Sequence, residues 1–506
     1  MSSAHSHPPL PIKTAASALK FPLSSNRLPI GVVSPRRWPH SSGIFNIANF
    51  SGTSKRALAF PTSARYIIAR AGGYEPARAA VSGRVSGSDA HPFDVVIVGA
   101  GIIGLTIARQ FLLGSNLSVA IVDAAVPCAG ATGAGQGYIW RVHKVPGAEK
   151  WELAIRSHNL WEALSESVQN QGMDPLETLG WKKTGSMLVG RTAEDCSVLR
   201  AKVEKLVEAG LGAQFLSRDE LRVEEPALEL GEEGGAAFMP DDCQLDARRA
   251  VTFLEKTNRS FAAEGRYAEF YHEPVTSFIR SESTGGIEAV QTSKRTLSVK
   301  KAVVIAAGCW SGSVVDNLIS DAGIKIDVPV KPRKGHLLIL ENFKPFNLNH
   351  GLMEAAYVSH ESAKLSSTST DSKTGFDATI ASVSMTATTD LSGKLVFGSS
   401  REIVGFDTRI DESILERIWT RASEFFPVLK KSSLRDLTDR REVRVGLRPY
   451  MPGGKPLIAP VPGLSKAFLA AGHEGEGLSL AMGTAEMIYD MVLENPPKVN
   501  PAPYAV

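Results

Sequence analysis

Phe93-Asp94-Val95-Val96-Ile97-Val98 runs directly into Gly99-Ala100-Gly101-Ile102-Ile103-Gly104, then through Leu105–Leu113 to Ser118-Val119-Ala120-Ile121-Val122-Asp123. The opening six residues are largely β-branched, a strand composition, and the residues after Gly104 have helix-like apolar character. Gly99 permits a tight turn, Gly101 lets a pyrophosphate approach the N–H groups of a helix start, and Gly104 lets the helix pack close on the strand. Asp123 stands 19 residues beyond Gly104, where a carboxylate accepts hydrogen bonds from ribose hydroxyls. A glycine-rich helix start would account for the GxGxxG alone. With both strands and the acid in place, the stretch reads as a dinucleotide-binding unit. The acid also disfavours a 2′-phosphate, so NADP is not expected.

This unit does not separate FAD from NAD. An extended FAD needs further contacts, and three later segments suit them. Gly130-Ala131-Thr132-Gly133-Ala134-Gly135-Gln136-Gly137 is built of small residues over which backbone can pass close to a cofactor. Lys301–Gly308 is a strand ending in small residues. Ala467–Ala471 is a short apolar strand entering Gly472-His473-Glu474-Gly475-Glu476-Gly477, and Leu478–Leu493 then has helical spacing. That last segment is a second strand–glycine turn–helix start, suited to an electron-rich cofactor edge.

The 506 residues suffice for two sizeable cores, and 43% hydrophobic with 22% charged residues is a globular composition. Nine of the 56 Lys and Arg lie in residues 1–73, which hold no Asp or Glu. The rest of the chain therefore carries 47 basic residues against 53 acidic ones, which argues against a protein held on nucleic acid by phosphate contacts. Residues 1–73 also hold twelve Ser and eight Pro, the basic, Ser-rich, acid-poor composition of a transit peptide. Import into the chloroplast, or alternatively the mitochondrion, is expected, with cleavage near Arg70-Ala71 and a linker over 73–92. Cys128, Cys196, Cys243 and Cys309 form no CxxC pair, so neither a disulfide framework nor a metal site is expected. No run of about 18 apolar residues suggests a membrane span.

Taken in order, these segments resemble the D-amino-acid oxidase-like FAD oxidoreductases, the group of glycine oxidase, sarcosine oxidase and D-amino-acid dehydrogenase. Further motifs are Lys183-Thr184-Gly185-Ser186-Met187, Ala306-Ala307-Gly308-Cys309-Trp310-Ser311, Pro332-Arg333-Lys334-Gly335, Gly398-Ser399-Ser400-Arg401-Glu402 and Gly446-Leu447-Arg448-Pro449. The similarity covers roughly 93–495. It implies an α/β chain with a Rossmann-like FAD-binding domain of the glutathione-reductase type, assembled from 93–180, 235–325 and 435–506. A discontinuous α+β substrate domain on a mixed sheet would come from 181–234 and 326–434. The implied cofactor contacts are Gly99, Gly101, Ile103, Gly104, Asp123, Ala131, Thr132, Gly137, Val275, Ala307, Gly308, Gly472, Gly475, Gly477 and Leu478. The implied reaction is hydride transfer from a small amine or amino acid to flavin N5, giving an imine that hydrolyses, with O2 or another acceptor reoxidising the flavin.

On the substrate side, the resemblance places Arg448 beside the flavin, where a guanidinium pairs with an α-carboxylate or a flavin carbonyl. The duller account of Arg448 is an ion pair with Glu442 or Asp439. Tyr357 is a candidate donor to the same carboxylate, and His473 is a candidate proton carrier. Trp140-Arg141 and His143 read as a core aromatic followed by solvated charges. Thr388–Leu395 lacks the arginine that amino-acid oxidases of the group often place there. This argues against simple glycine or D-amino-acid specificity and leaves secondary or cyclic amines open. Glu361–Ser384 reads as an insertion in the substrate domain. Two other readings stay open: a 2-hydroxy-acid dehydrogenase, which would want a base such as His473, and a flavin-bound scaffold protein without turnover.

Overall fold

A computed structural model describes residues 91–281, 283–319, 326–356 and 381–506. Tyr357 and residues 361–380 of the expected insertion lie outside them. The strands, in chain order, begin with β1 (His91–Val98), β2 (Val119–Val122), β3 (Tyr138–Ile139), β4 (Lys182–Lys183), β5 (Ser186–Gly190) and β6 (Gln214–Ser217). Next come β7 (Gly235–Met239), β8 (Cys243–Gln244), β9 (Tyr267–Phe270), β10 (Val275–Arg280), β11 (Ile287–Thr292), β12 (Thr296–Ile305) and β13 (Lys331–Leu340). The remainder are β14 (Gly351–Glu354), β15 (Ser382–Thr389), β16 (Leu395–Arg401), β17 (Arg441–Tyr450), β18 (Leu457–Pro460) and β19 (Ala467–Ala471).

The first sheet grows from β1, whose Val95–Val98 are buried on both faces as a central parallel strand requires. It pairs in parallel with β2 on one side and β12 on the other; β9 extends β2 and β19 extends β12, also in parallel. Antiparallel β10, β11 and β18 complete it. Helix α1 (Ile102–Gly114) and the closing helix Gly477–Val492 pack on this sheet, together with the Ala247–Arg259 helix, in one apolar cluster. The strand–turn–helix–strand expected over 93–123 is present, as are the later strands and the closing helix.

The second sheet is mixed, in the order β17-β13-β16-β15-β14-β5-β7-β6, and the helix Glu412–Ser423 supplies Ile414, Leu415, Ile418 and Trp419 to its core. The chain is thus an α/β fold with a mainly parallel sheet and a mixed sheet built from interleaved segments. The expected boundaries shift at two places. β7 and β17, which the boundaries at 235 and 435 put with the first sheet, pair with β5 and β13 in the second. A third sheet of β3, β8 and β4 lies beside helix α3 (Trp151–Asn170).

Strands β2, β1, β12 and β19 lie side by side and parallel, so their C-terminal ends share one edge. The glycine turns after β1, β12 and β19 all leave from it. In an open parallel sheet this edge is where ligands bind.

Candidate active site

At the β1 end, Gly99 has φ +115° and donates its N–H to Val122 O at 2.8 Å. A Cβ there would overlap Ala306 O, and one on Gly104 would overlap Gly99 O. Gly101 differs: its Cβ would meet only Thr132 Oγ1, at 3.4 Å. Helix α1 begins with no side-chain cap and no acid in its first turn, while its Ile102 N–H donates to Thr132 Oγ1 at 3.2 Å. The result is a helix start whose first N–H alone is met by a side chain, Thr132, and which is flanked by Ile103, with the 130–137 segment drawn against it: a candidate cradle for a pyrophosphate. Asp123 accepts from Ala100 N–H and Ala125 N–H, both at 2.7 Å, so it braces the turn. Burial raises its pKa, with these two bonds acting in the opposite direction. Each carboxylate oxygen keeps a further lone pair for a hydroxyl. Val275 and Ala307 pack on the same apolar cluster as Val98 and Val122.

The other glycine segments converge on β17. Helix α2 (Ala131–Ala134), the turn Gly308–Trp310 and the turn Glu474–Glu476 all pack against it. Ala134 sits so close to Gly446 that a Cβ there would lie 2.6 Å from its own. Gly135 abuts Leu478, and Gly475 faces the Arg448 side chain at 3.9 Å. Ser311, just past Gly308, has a buried hydroxyl without a hydrogen-bond partner. Gly137 and Gly472 hold φ near +88° and +78°, and Gly477 opens the closing helix. Residues from all the predicted cofactor segments therefore border one region, and open backbone, a largely uncapped helix start and an orphan hydroxyl fit a long anionic dinucleotide.

Arg448 reaches across β13 and donates from Nη1 to Ser400 O at 2.9 Å. Its guanidinium occupies the space a side chain at Gly335 would need, so a Cβ there would push the Arg448 fork aside. Glu442, one of the two carboxylates considered as its ion-pair partner, is bound by Arg444 at 2.9 Å and has Lys394 at 3.5 Å. Arg333, the β13 register partner of Arg448, is buried, ion-paired with Glu474, and 4.9 Å from the Tyr450 ring. Sequence reading missed this pair; the signal was a basic Pro332-Arg333-Lys334 at the head of the apolar Leu337–Leu340 strand.

His473 is buried, with Nε2 3.0 Å from Thr484 Oγ1 on the closing helix. Burial pushes its pKa down to about 4, so at neutral pH the ring is uncharged. Next to it, Glu476 is bound by Lys144 and by Lys150 at 2.7 Å, with His143 Nε2 at 3.5 Å. Burial opposes the charge on Glu476, yet the two lysines hold its carboxyl well below the usual range. His336 buttresses Ser400: its ring Nδ1 and its backbone N–H both meet Ser400 Oγ, at 3.1 and 3.0 Å. Burial pushes this imidazole down to about 4 as well. Trp140 is buried and stacked on Tyr138, as a core aromatic should be, but Arg141 is not solvated. It is buried because Asp242, fully enclosed, takes its Nε at 3.1 Å and would otherwise be an unpaired charge.

Two expectations follow. Gly101→Val adds a side chain where only a ligand would be crowded, so the variant is expected to keep its circular dichroism while FAD affinity falls by about a hundredfold or more, the scale of a few kcal/mol. Retained affinity would show that the cradle does not hold the pyrophosphate. The two neutral histidines set an acid limit. Their folded pKa values lie below the unfolded 6.5, so their contribution is complete above that pH and is lost on acidification towards 4, about 3 kcal/mol each. Thermal melts from pH 7 to 4 should show this slope, and His473→Asn should flatten part of it.

A sequence profile of FAD dependent oxidoreductases, DAO, matches residues 94–491. Glycine oxidase of Pseudomonas aeruginosa is 26% identical over 423 residues, covering 81% of this chain and 98% of the relative. D-amino acid dehydrogenase 2 of Ralstonia nicotianae is 25% identical over 341 residues, covering 65% and 69%. Among solved structures, glycine oxidase from Geobacillus kaustophilus superposes with a TM-score of 0.65 at 23% identity, covering 82% of this chain and 98% of its own. L-proline dehydrogenase from P. horikoshii gives 0.65 at 19% identity, covering 82% and 97%.

Proposed function

Because the chain belongs to the DAO family of FAD-dependent oxidoreductases, we propose that it oxidises a small amino or imino acid, or a related amine carrying a carboxylate. The observation that carries this reading is Arg448, set on β17 where three glycine turns pack, with its Nη1 donating to Ser400 O at 2.9 Å. When bound, FAD supplies the hydride acceptor. Residues 99–104, 130–137, 307–308 and 472–478 would hold it through backbone groups and the α1 start. Arg448 binds the substrate carboxylate with its planar fork and so fixes the orientation of the α-carbon. Its bond to Ser400 O, backed by His336, keeps the fork aimed. The amine enters neutral, its proton having gone to solvent; loss of hydride then leaves an imine, which water hydrolyses. His473 orients the turn through Thr484 rather than moving a proton, which favours an amine over a 2-hydroxy acid, whose oxidation wants a base.

The test is an anaerobic titration of the FAD-loaded protein with glycine, sarcosine, proline, hydroxyproline, D- and L-amino acids and 2-hydroxy acids. Bleaching of the flavin bands by an amino or imino acid is the expected result, and admitting air then sorts oxidase from dehydrogenase. Bleaching by hydroxy acids alone would favour the 2-hydroxy-acid reading, and a flavin that nothing reduces would favour the scaffold. Among the described residues no helix is long and apolar enough to cross a membrane. The composition of residues 1–73 supports chloroplast import; a fluorescent fusion of that segment should mark plastids, and mitochondrial fluorescence would replace the assignment.

A further inference from the structure

On the far side of helix α3 from the closing helix's contacts with Arg156 and Ser157 stands a cluster of ligand-type side chains. His158 and Glu162 lie one turn apart on α3, and Cys243 opens β8. One donor atom from each, an imidazole nitrogen, a carboxylate oxygen and the thiol sulfur, all lie within 4.8 Å of one another. Sequence spacing hid the set because Cys243 is distant in the chain from the other two.

The second observation is His158 itself. Its side chain is 3% exposed, and neither ring nitrogen has a hydrogen-bond partner; Glu162 Oε2 is 3.5 Å from Nδ1. Buried imidazoles are ordinarily satisfied. Charge points the same way. The flanking cations are already matched, Arg141 with Asp242 at 3.1 Å and Lys183 with Asp241 at 2.7 Å. What remains is a carboxylate, a thiol and a neutral imidazole, which a divalent cation would neutralise on release of the thiol proton to solvent. A bound cation takes the thiolate as its ligand, so the thiol proton leaves on binding.

We propose that His158, Glu162 and Cys243 form a Zn2+ site with water as the fourth ligand. Nitrogen and thiolate ligands select zinc over magnesium or calcium. Tetrahedral zinc sets its donors about 3.3–3.6 Å apart, so the triangle must close by about an ångström, and Glu162, 37% exposed, can swing inward and gives the ion its entry. The ion ties α3 to β8. Helix α3 holds the closing helix through Ser157, which accepts from Gly483 N–H at 3.1 Å, and Arg156, which binds Glu486. β8 holds the glycine segment through Gln244, which donates to Gln136 O at 3.1 Å. The site shares no residue with the Arg448 pocket and is structural.

The test uses the FAD-loaded full chain with its thiols reduced, titrated with Co2+. The expected result is a set of intense visible bands to the red of the flavin, typical of tetrahedral cobalt with a thiolate ligand, saturating at one ion per chain and abolished by Zn2+. Cys243→Ser should lose these bands. Glu162→Gln, at a half-exposed position that the fold tolerates, should weaken binding by at least about tenfold, the lower end of what losing even an outer-shell partner costs, with FAD content unchanged in both. Weak pink octahedral spectra, or tetrahedral bands indifferent to both substitutions, would overturn the site. Should Cys243→Ser fail to fold, the Glu162→Gln titration decides alone.

Discussion

Arg448→Leu is expected to reduce the flavin by substrate some thirty- to several-thousand-fold more slowly than the parent, while FAD stays bound. Removing one partner of a buried, charge-assisted pair costs 2–5 kcal/mol, and each 1.4 kcal/mol is about tenfold. The fold should survive, because the bond that Nη1 makes is to a neutral acceptor, the Ser400 carbonyl. Arg448→Lys keeps the charge and loses the two-pronged fit, so it should fall between the two. Stopped-flow reduction under nitrogen checks this. A leucine variant that reduces at the parental rate would remove Arg448 from the substrate's carboxylate. One that instead releases FAD would move the guanidinium to a flavin carbonyl.

The largest stability effect is expected at Glu476. It is an acid shared by Lys144 and Lys150, in a pocket where Lys144 is 5% exposed. Glu476→Gln removes the charge that faces the buried Lys144 and the partly exposed Lys150, a loss of about 3–5 kcal/mol. In a folded body of this size that lowers the melting temperature by about 5 °C. Lys150→Met in the same background should recover part of the loss, the signature of a coupled pair in a double-mutant cycle. The acid dependence is separable from that of the histidines. The lowered Glu476 pKa means its contribution is present above the unfolded carboxyl value, about 4.3, and goes only as pH falls through the lower folded value, beneath the window in which His473 and His336 act. An unchanged melting temperature would show the cluster to be solvated in solution.

Much of this site was written locally. Gly99, Gly101, Gly104 and Asp123 satisfy steric and hydrogen-bonding needs within one strand–turn–helix–strand, and such needs leave a readable spacing. The turns after β12 and β19 are legible for the same reason. What escaped depends on partners far along the chain. Lys144 and Lys150 stand 332 and 326 residues from Glu476, and no pattern in either neighbourhood announces the other. Arg141 reads as a solvated charge because Asp242, which makes its burial tolerable, is a hundred residues away. The affiliations of β7 and β17 are likewise set by pairing across sheets, where hydrophobic alternation suits either choice. His158 gives the sharpest case: an ordinary residue on an amphipathic helix until Cys243 is folded against it.

Strand β17 belongs by pairing to the second sheet, yet it presents Gly446 and Arg448 to the turns of the first. Under the proposed function, the residue that would choose what is oxidised is therefore inherited with one half of the protein, and most of the groups that would grip the cofactor with the other. The two can diverge at different rates. A lineage can exchange the strands around Arg448 and acquire a new substrate while its dinucleotide cradle stays unaltered. A chimaera carrying a relative's β13–β17 segment would show how freely that exchange runs.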